Sequence, residues 1–319
     1  MALAVHIAVG QGQPIPAQVD FIKRAESLGF AGVGVADHVE HGQDAFVILG
    51  LAATQTSTIA LYPAVTNPKS RHPFHLAVMA NTLAELAPGR AKLAMGTGDS
   101  VILNIGSTPA KADEFKDAVR SIRGLLRGAK VQFGTNPNGH IQGPVDPPPP
   151  VVVAASGPRA LRMAGEVGDE AMLLAGVSSA LRAQAGVRLA EGAAVSGRDV
   201  ASIPLMYNAA VAVDDDAEAA RARVWPAVFS WTKMGFFNDG LQSVGVPVPQ
   251  EERAEDVAPS VVKQLTDHLA IAGTPAYVIK RFEQLNDEGV ERVYCFAFGR
   301  GETRERTLSL LSQNVIGRA

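Results

Sequence analysis

The chain has 319 residues, 47% of them hydrophobic, 19% charged and 6% aromatic, with a formal net charge of -3. Such a composition excludes a disordered chain. With 29 basic against 32 acidic residues and few aromatics, it offers neither the positive field nor the stacking surface that a nucleic-acid partner needs.

In chain order, residues 1–10 lack the basic flank and long apolar core of a signal peptide. Ala4 to Val9 reads as a strand, and Ala17 to Leu28 as an amphipathic helix stopped by Gly29. Gly32 to Ala36 is a second strand with a helix from Ala45 to Gln55, and Ile59 to Val65 a third with a helix from Phe74 to Leu86, ended by Pro88 and Gly89. Ala91 to Met95 is the fourth strand, followed by a helix from Ala112 to Leu126. These strand starts lie roughly 27 to 32 residues apart, the length of one strand-plus-helix unit.

The second half keeps the rhythm less cleanly. Val151 to Ala154 follows the prolines Pro147 to Pro150, a short helix from Pro158 to Val167 leads to the strand Ala171 to Leu174, and Ile203 to Val213 is longer. Glu291 to Phe296, which carries the single cysteine Cys295, is the last strand, with a helix from Thr303 to Asn314. One cysteine permits no internal disulfide and agrees with a reducing compartment. No apolar run reaches the roughly 18 residues that span a bilayer, so no membrane contact and a cytoplasmic location are expected.

Eight such units predict a (β/α)₈ barrel, residues 1–319 forming a single TIM-barrel domain. Two interruptions are expected within it: a hairpin excursion at about 130–143, rich in Gly and Asn, and a helical insertion at about 225–262, before the last strand. An open doubly wound sheet would carry G-x-G-x-x-G after the first strand. Gly10-Gln11-Gly12-Gln13-Pro14-Ile15 lacks the third glycine.

Parallel barrels collect their chemistry at the strand C-termini, and four polar clusters sit there. Asp37-His38 follows the second strand; His38 can exchange a proton near neutral pH, although the pair could equally be a turn cap with a half-buried ring. Thr66-Asn67-Pro68-Lys69-Ser70-Arg71-His72-Pro73 follows the third. Its prolines fix the loop, and its Asn, Arg and hydroxyls offer donors to a polar ligand or, alternatively, a helix cap and surface turn. Gly96-Thr97-Gly98-Asp99-Ser100 allows close backbone approach. Ala154-Ala155-Ser156-Gly157-Pro158 opens a helix, whose first amides suit an anion. Together they describe a cleft for a phosphate-bearing cofactor, its reactive ring near His38 and Asp99. The histidine pairs His38/His41 and His72/His75 stand at turns and helix starts rather than in a ligand set, so no metal is expected.

The segments AESLGFAGVGVADH (25–38), AVTNPKSRHP (64–73), APGRAKLAMGTGDS (87–100) and AASGPRALRMAGEVGDE (154–170) resemble the luciferase-like superfamily of barrel oxidoreductases. They are similar within it to the coenzyme F420-dependent branch that contains methylenetetrahydromethanopterin reductase. The resemblance implies that His38 and Asp99 are catalytic acid-base groups. It further implies that Asp37, Ala64, Val65, Thr66, Asn67, Thr97, Gly98, Ala155, Ser156 and Gly157 bind the cofactor, with a non-prolyl cis peptide near Pro63, Ala64 and Val65. The family often has a bulky aromatic shortly after the strand-two histidine; here Val39, Glu40, His41 and Gly42 follow, which speaks against a sugar-phosphate substrate.

The function implied is hydride transfer between F420 and a small organic substrate, in a homodimer. One alternative is an FMN-dependent monooxygenase supplied with reduced flavin by a partner reductase. The other is a flavin- or deazaflavin-binding protein without turnover. Substrate contacts are expected from residues 10–16, the segment after His38 and the region after Ala222. The aromatics Trp225, Trp231, Phe236 and Phe237 would either cover the pocket or belong to a core or subunit contact.

Overall fold

Strands β1 (Ala4–Ala8), β2 (Gly32–Val35), β3 (Ala60–Pro63) and β4 (Leu93–Met95) occupy the first hundred residues of the computed structural model, which describes residues 3–98 and 100–316. After them come the hairpin strands β5 (Val131–Phe133) and β6 (Asn136–Gly139). Next are β7 (Val151–Ala155), β8 (Glu170–Leu173), β9 (Leu205–Val213), β10 (Ala270–Gly273) and β11 (Arg292–Ala297). Parallel pairing runs β3-β2-β1-β11-β9-β8-β7-β4. The two ends of this series meet through bridges at Leu61–Ala91 and Thr66–Met95, where Thr66 N donates to Ala94 O at 3.1 Å and Gly96 N to Thr66 O at 2.9 Å. The result is a nearly closed eight-stranded parallel barrel with an inserted antiparallel hairpin, β5-β6, as the alternation of strands and helices predicts.

Each strand presents alternate residues to the lumen, and the lumen fills in layers. At its N-terminal end Lys92 Nζ and Arg292 Nη1 both reach Glu170 Oε2, at 2.6 and 2.9 Å. Above them His6 Nδ1 lies 2.9 Å from Tyr62 Oη. Tyr62, Ala94, Val152, Met172, Met206 and Tyr294 complete the plug. The strands' other faces pack against the surrounding helices, giving the larger apolar clusters outside the barrel.

Three features differ from the sequence expectation. Residues 179–195 form a 17-residue helix, Ser179–Val195, which the Ala- and Gly-rich sequence conceals because its apolar stripe is weak. It crosses the helix Pro158–Val167 backbone to backbone: a Cβ on Gly192 would lie 1.9 Å from Arg162 O, and one on Gly165 would lie 2.1 Å from Leu189 O. Only glycine permits that approach. Second, the expected insertion boundary at 225 falls in mid-helix, because Ala217–Lys233 is continuous and contains Pro226. Third, β10 was not anticipated; it pairs with residues 210–213 of β9, past residue 207, where the pairing of β9 with β8 ends.

Candidate active site

At the C-terminal end of the barrel the strand ends enclose a cleft of about 360 Å³, within the range of small-molecule and cofactor pockets. His38, Ala64, Val65, Thr66, Asn67, Thr97, Gly98, Ala155 and Ser156 line it, so nine of the sequence-selected positions meet in one place. The Ala64–Val65 peptide is cis, at the position the resemblance implies, and both residues face the cleft.

Asp37 is placed differently. Its side chain is not in the cleft wall; only 4% exposed, it turns back between β2 and the loop after β3. There it accepts from Thr66 Oγ1 at 2.7 Å, Arg71 Nε at 3.2 Å and Arg71 Nη2 at 2.9 Å. Arg71 also reaches Asp44 Oδ2 at 3.0 Å, and Asp44 caps the helix Ala45–Ala53 by accepting from Phe46 N and Val47 N. The carboxylates beside Arg71, Asp37 first, hold its guanidinium pKa above the ordinary range. Arg71 is thus a brace for the loop, not a donor aimed at a ligand. A buried carboxylate needs charge compensation and several donors, and this loop supplies them.

Asn67 builds the same loop from the other side: its Oδ1 accepts from Lys69 N at 3.0 Å and Ser70 N at 2.8 Å, the asparagine turn expected of such a run. His38 lines the cleft with its Nδ1 2.9 Å from Glu40 Oε1, a contact that lowers the Glu40 pKa. His41 stands close by, ring centroids 6.0 Å apart, and its Nε2 meets Gln11 Oε1 at 3.1 Å. Donor atoms of His38, Glu40 and His41 all lie within 4.8 Å of one another, a convergence that their spacing alone did not reveal. Asp99 lies outside the described residues.

Gly157 does not itself line the cleft. It is the N-cap of the helix Pro158–Val167 and has no side chain to bond the first-turn amides; a Cβ there would meet nothing within 4 Å. Open space beside uncapped amides is what a phosphate requires, and Ser156 and Ala160 of the same turn line the cleft. The residues present therefore fit a phosphate-bearing cofactor.

The far wall was missed. Asn208 of β9, Tyr294 and Phe296 of β11, and Met172 and Leu174 at the end of β8 all line the cleft, yet in sequence they are ordinary alternating strand positions. Trp231 and Phe236 join them, and Gln11 comes from the first loop, so residues from the first loop and from the region after Ala222 both reach the cleft. Trp225 and Phe237 are instead buried core, with Trp225 Nε1 donating to Ala254 O at 2.9 Å.

The sequence model of the family "Luciferase-like monooxygenase" matches residues 1–292. The chain is 29% identical over 315 residues to a 5,10-methylenetetrahydromethanopterin reductase of Archaeoglobus fulgidus, covering 93% of each chain. It is 32% identical over 291 residues to an F420-dependent glucose-6-phosphate dehydrogenase of Beutenbergia cavernae, covering 85% of this chain and 81% of that one. The solved F420-dependent tetrahydromethanopterin reductase of Methanopyrus kandleri shares the fold with a TM-score of 0.81 at 23% identity, covering 99% of both chains. The chain belongs to the luciferase-like monooxygenase family, in its F420-dependent branch. Among the described residues no helix is long and apolar enough to cross a membrane.

Proposed function

We propose that the protein is an oxidoreductase that uses coenzyme F420 to move a hydride to or from a small organic substrate at the barrel mouth. The observation that carries this reading is the meeting of His38, Ala64, Val65, Thr66, Asn67, Thr97 and Ser156 in one cleft. When bound, the deazaflavin supplies the hydride donor or acceptor. The loop of residues 64–67, braced by Asp37 and Arg71, backs its ring. The uncapped first turn at Gly157–Pro158 holds its phosphate. His38 exchanges the proton that accompanies the hydride: Glu40 engages Nδ1, which leaves Nε2 for a ligand, and Asp99 is the second acid-base group. Trp231 and Phe236 exclude water from the outer side.

Titration of the purified protein with F420 and with FMN, followed by fluorescence, tests the assignment. F420 is expected to bind at least tenfold more tightly; the reverse order would instead support an FMN-dependent monooxygenase. Cofactor binding with no redox cycling across a broad alcohol, ketone and aldehyde panel would favour a binding protein over an enzyme.

A further inference from the structure

Asn208 is held on β9 in register with Tyr294 and is only 8% exposed. It lines the cleft, and its Oδ1 has no hydrogen-bond partner. A buried amide oxygen without a donor destabilises a fold, and this one belongs to a residue of the cleft wall, so a ligand donor seated against that wall would complete its bonding. Its surroundings say what kind. An aromatic series climbs out of the lumen beside it: Tyr62 to Tyr294 at 6.0 Å, Tyr294 to Phe296 at 5.0 Å and Phe296 to Trp231 at 6.1 Å between ring centroids. Phe236, Met172 and Leu174 extend the apolar surface. No lysine, arginine, aspartate or glutamate is among the described residues lining the cleft. Away from the first-turn amides near Gly157, a charged group buried against Asn208 and these rings would have no lysine or arginine partner among the described cleft residues, which is strongly unfavourable.

We infer that Asn208 is a specificity-determining residue. Its side-chain amide reads the hydroxyl or carbonyl group of an uncharged substrate, whose apolar body lies against Trp231, Phe236 and Phe296. An amide both accepts and donates, so it serves an alcohol through Oδ1 and a ketone or aldehyde through Nδ2. The inference rests on the oxidoreductase reading only in assigning this wall to the substrate rather than the cofactor.

The test compares the full chain with Asn208→Leu, each with and without F420, using three probes: 1-phenylethanol, ethylbenzene (the same body without the hydroxyl) and glucose 6-phosphate. Dissociation constants come from calorimetry or ligand-observed NMR, with no turnover needed. The wild type is expected to prefer 1-phenylethanol over ethylbenzene by about tenfold or more, and to bind glucose 6-phosphate least. Asn208→Leu is expected to lose the preference while binding ethylbenzene at least as well. Unliganded, it should melt at the wild-type temperature or up to about 4 °C higher, because an unbonded polar atom has been removed; F420 affinity should stay the same. Persistence of the preference in Asn208→Leu overturns the inference, as does glucose 6-phosphate binding as tight as that of 1-phenylethanol. A lowered melting temperature would show Asn208 to be structural, and a fall in F420 affinity would show it to read the cofactor; either overturns the inference. Should Asn208→Leu not fold, Asn208→Ala takes the same comparison, with the loss of the preference as the deciding result. Failure of the wild type to bind F420 strikes the cofactor assignment alone, because the probe comparison is also made without it.

Discussion

Arg71 grips Asp37 from behind the cleft wall, with Nη2 2.9 Å from Oδ1 and Nε 3.2 Å from Oδ2. Two polar runs from neighbouring strands, one following β2 and one following β3, are thereby tied into a single support. Thr66, which completes the set through its 2.7 Å bond to Asp37, is itself a cleft residue. Asp37→Ala leaves Arg71 with Asp44 as its remaining carboxylate and Thr66 Oγ1 without its acceptor, a loss of about 1–3 kcal/mol. Denaturant unfolding should show that loss, and F420 titration should show weaker binding as the loop relaxes. Unchanged F420 affinity in a folded Asp37→Ala variant would separate the brace from cofactor binding.

His38 faces the cleft without being part of its support. His38→Ala should therefore leave F420 affinity within about twofold of wild type and lower kcat by about 10² to 10⁴, the usual worth of a general acid or base. Glu40→Gln keeps the shape but removes the charge beside Nδ1. Because that contact holds the ring in place, Glu40→Gln should lower kcat by no more than the full loss of His38 does, about 10² to 10⁴, while F420 affinity stays the same. An unchanged kcat would show that Glu40 plays no part in orienting His38.

His6, sealed beneath Tyr62, is a liability in acid. Burial first, then the positive charges of Lys92 and Arg292, push its pKa from 6.5 down to about 3. The folded state thus holds a neutral imidazole at pH values where the unfolded chain already binds a proton. The stabilisation is present above about pH 6.5 and is lost as the pH falls toward 3, with a slope of at most about 1.4 kcal/mol per pH unit. Stability curves for wild type and His6→Phe, measured between pH 7 and pH 4, should converge in acid. Parallel curves would remove His6 as the cause.

The glycine crossing behind the turn at Ser156 to Pro158 makes a further prediction. Gly192→Ala would place its Cβ 1.9 Å from Arg162 O, and backbone on both sides leaves nothing flexible to yield. Overpacking of this kind costs about 1–3 kcal/mol. Because Arg162 belongs to the helix that starts at Pro158, displacement should also weaken F420 binding. By contrast, a Cβ on Gly186 of the same long helix would meet nothing within 4 Å. Gly186→Ala should be neutral or slightly stabilising, as expected of a helical glycine, and provides the control.

What the amino-acid order determined by itself was local. The alternation of apolar periods, the stops at Gly29 and Pro88, and the polar runs after each strand are set within a few residues of one another, and they were enough to predict eight strands and a barrel. They also led to nine residues of the cleft, because a polar run that follows a buried parallel strand can only emerge at the mouth. The tertiary structure alone decided which way those side chains point. Arg71 and Asp37 look like ligand-binding groups in sequence, yet they satisfy each other because burying either charge unpaired would cost more than the pair does. Asn208, Tyr294 and Phe296 look like any strand interior. They become part of the cleft wall only when β11 pairs with both β1 and β9, since a strand's period of two fixes that alternate residues share a face but not which face meets the lumen.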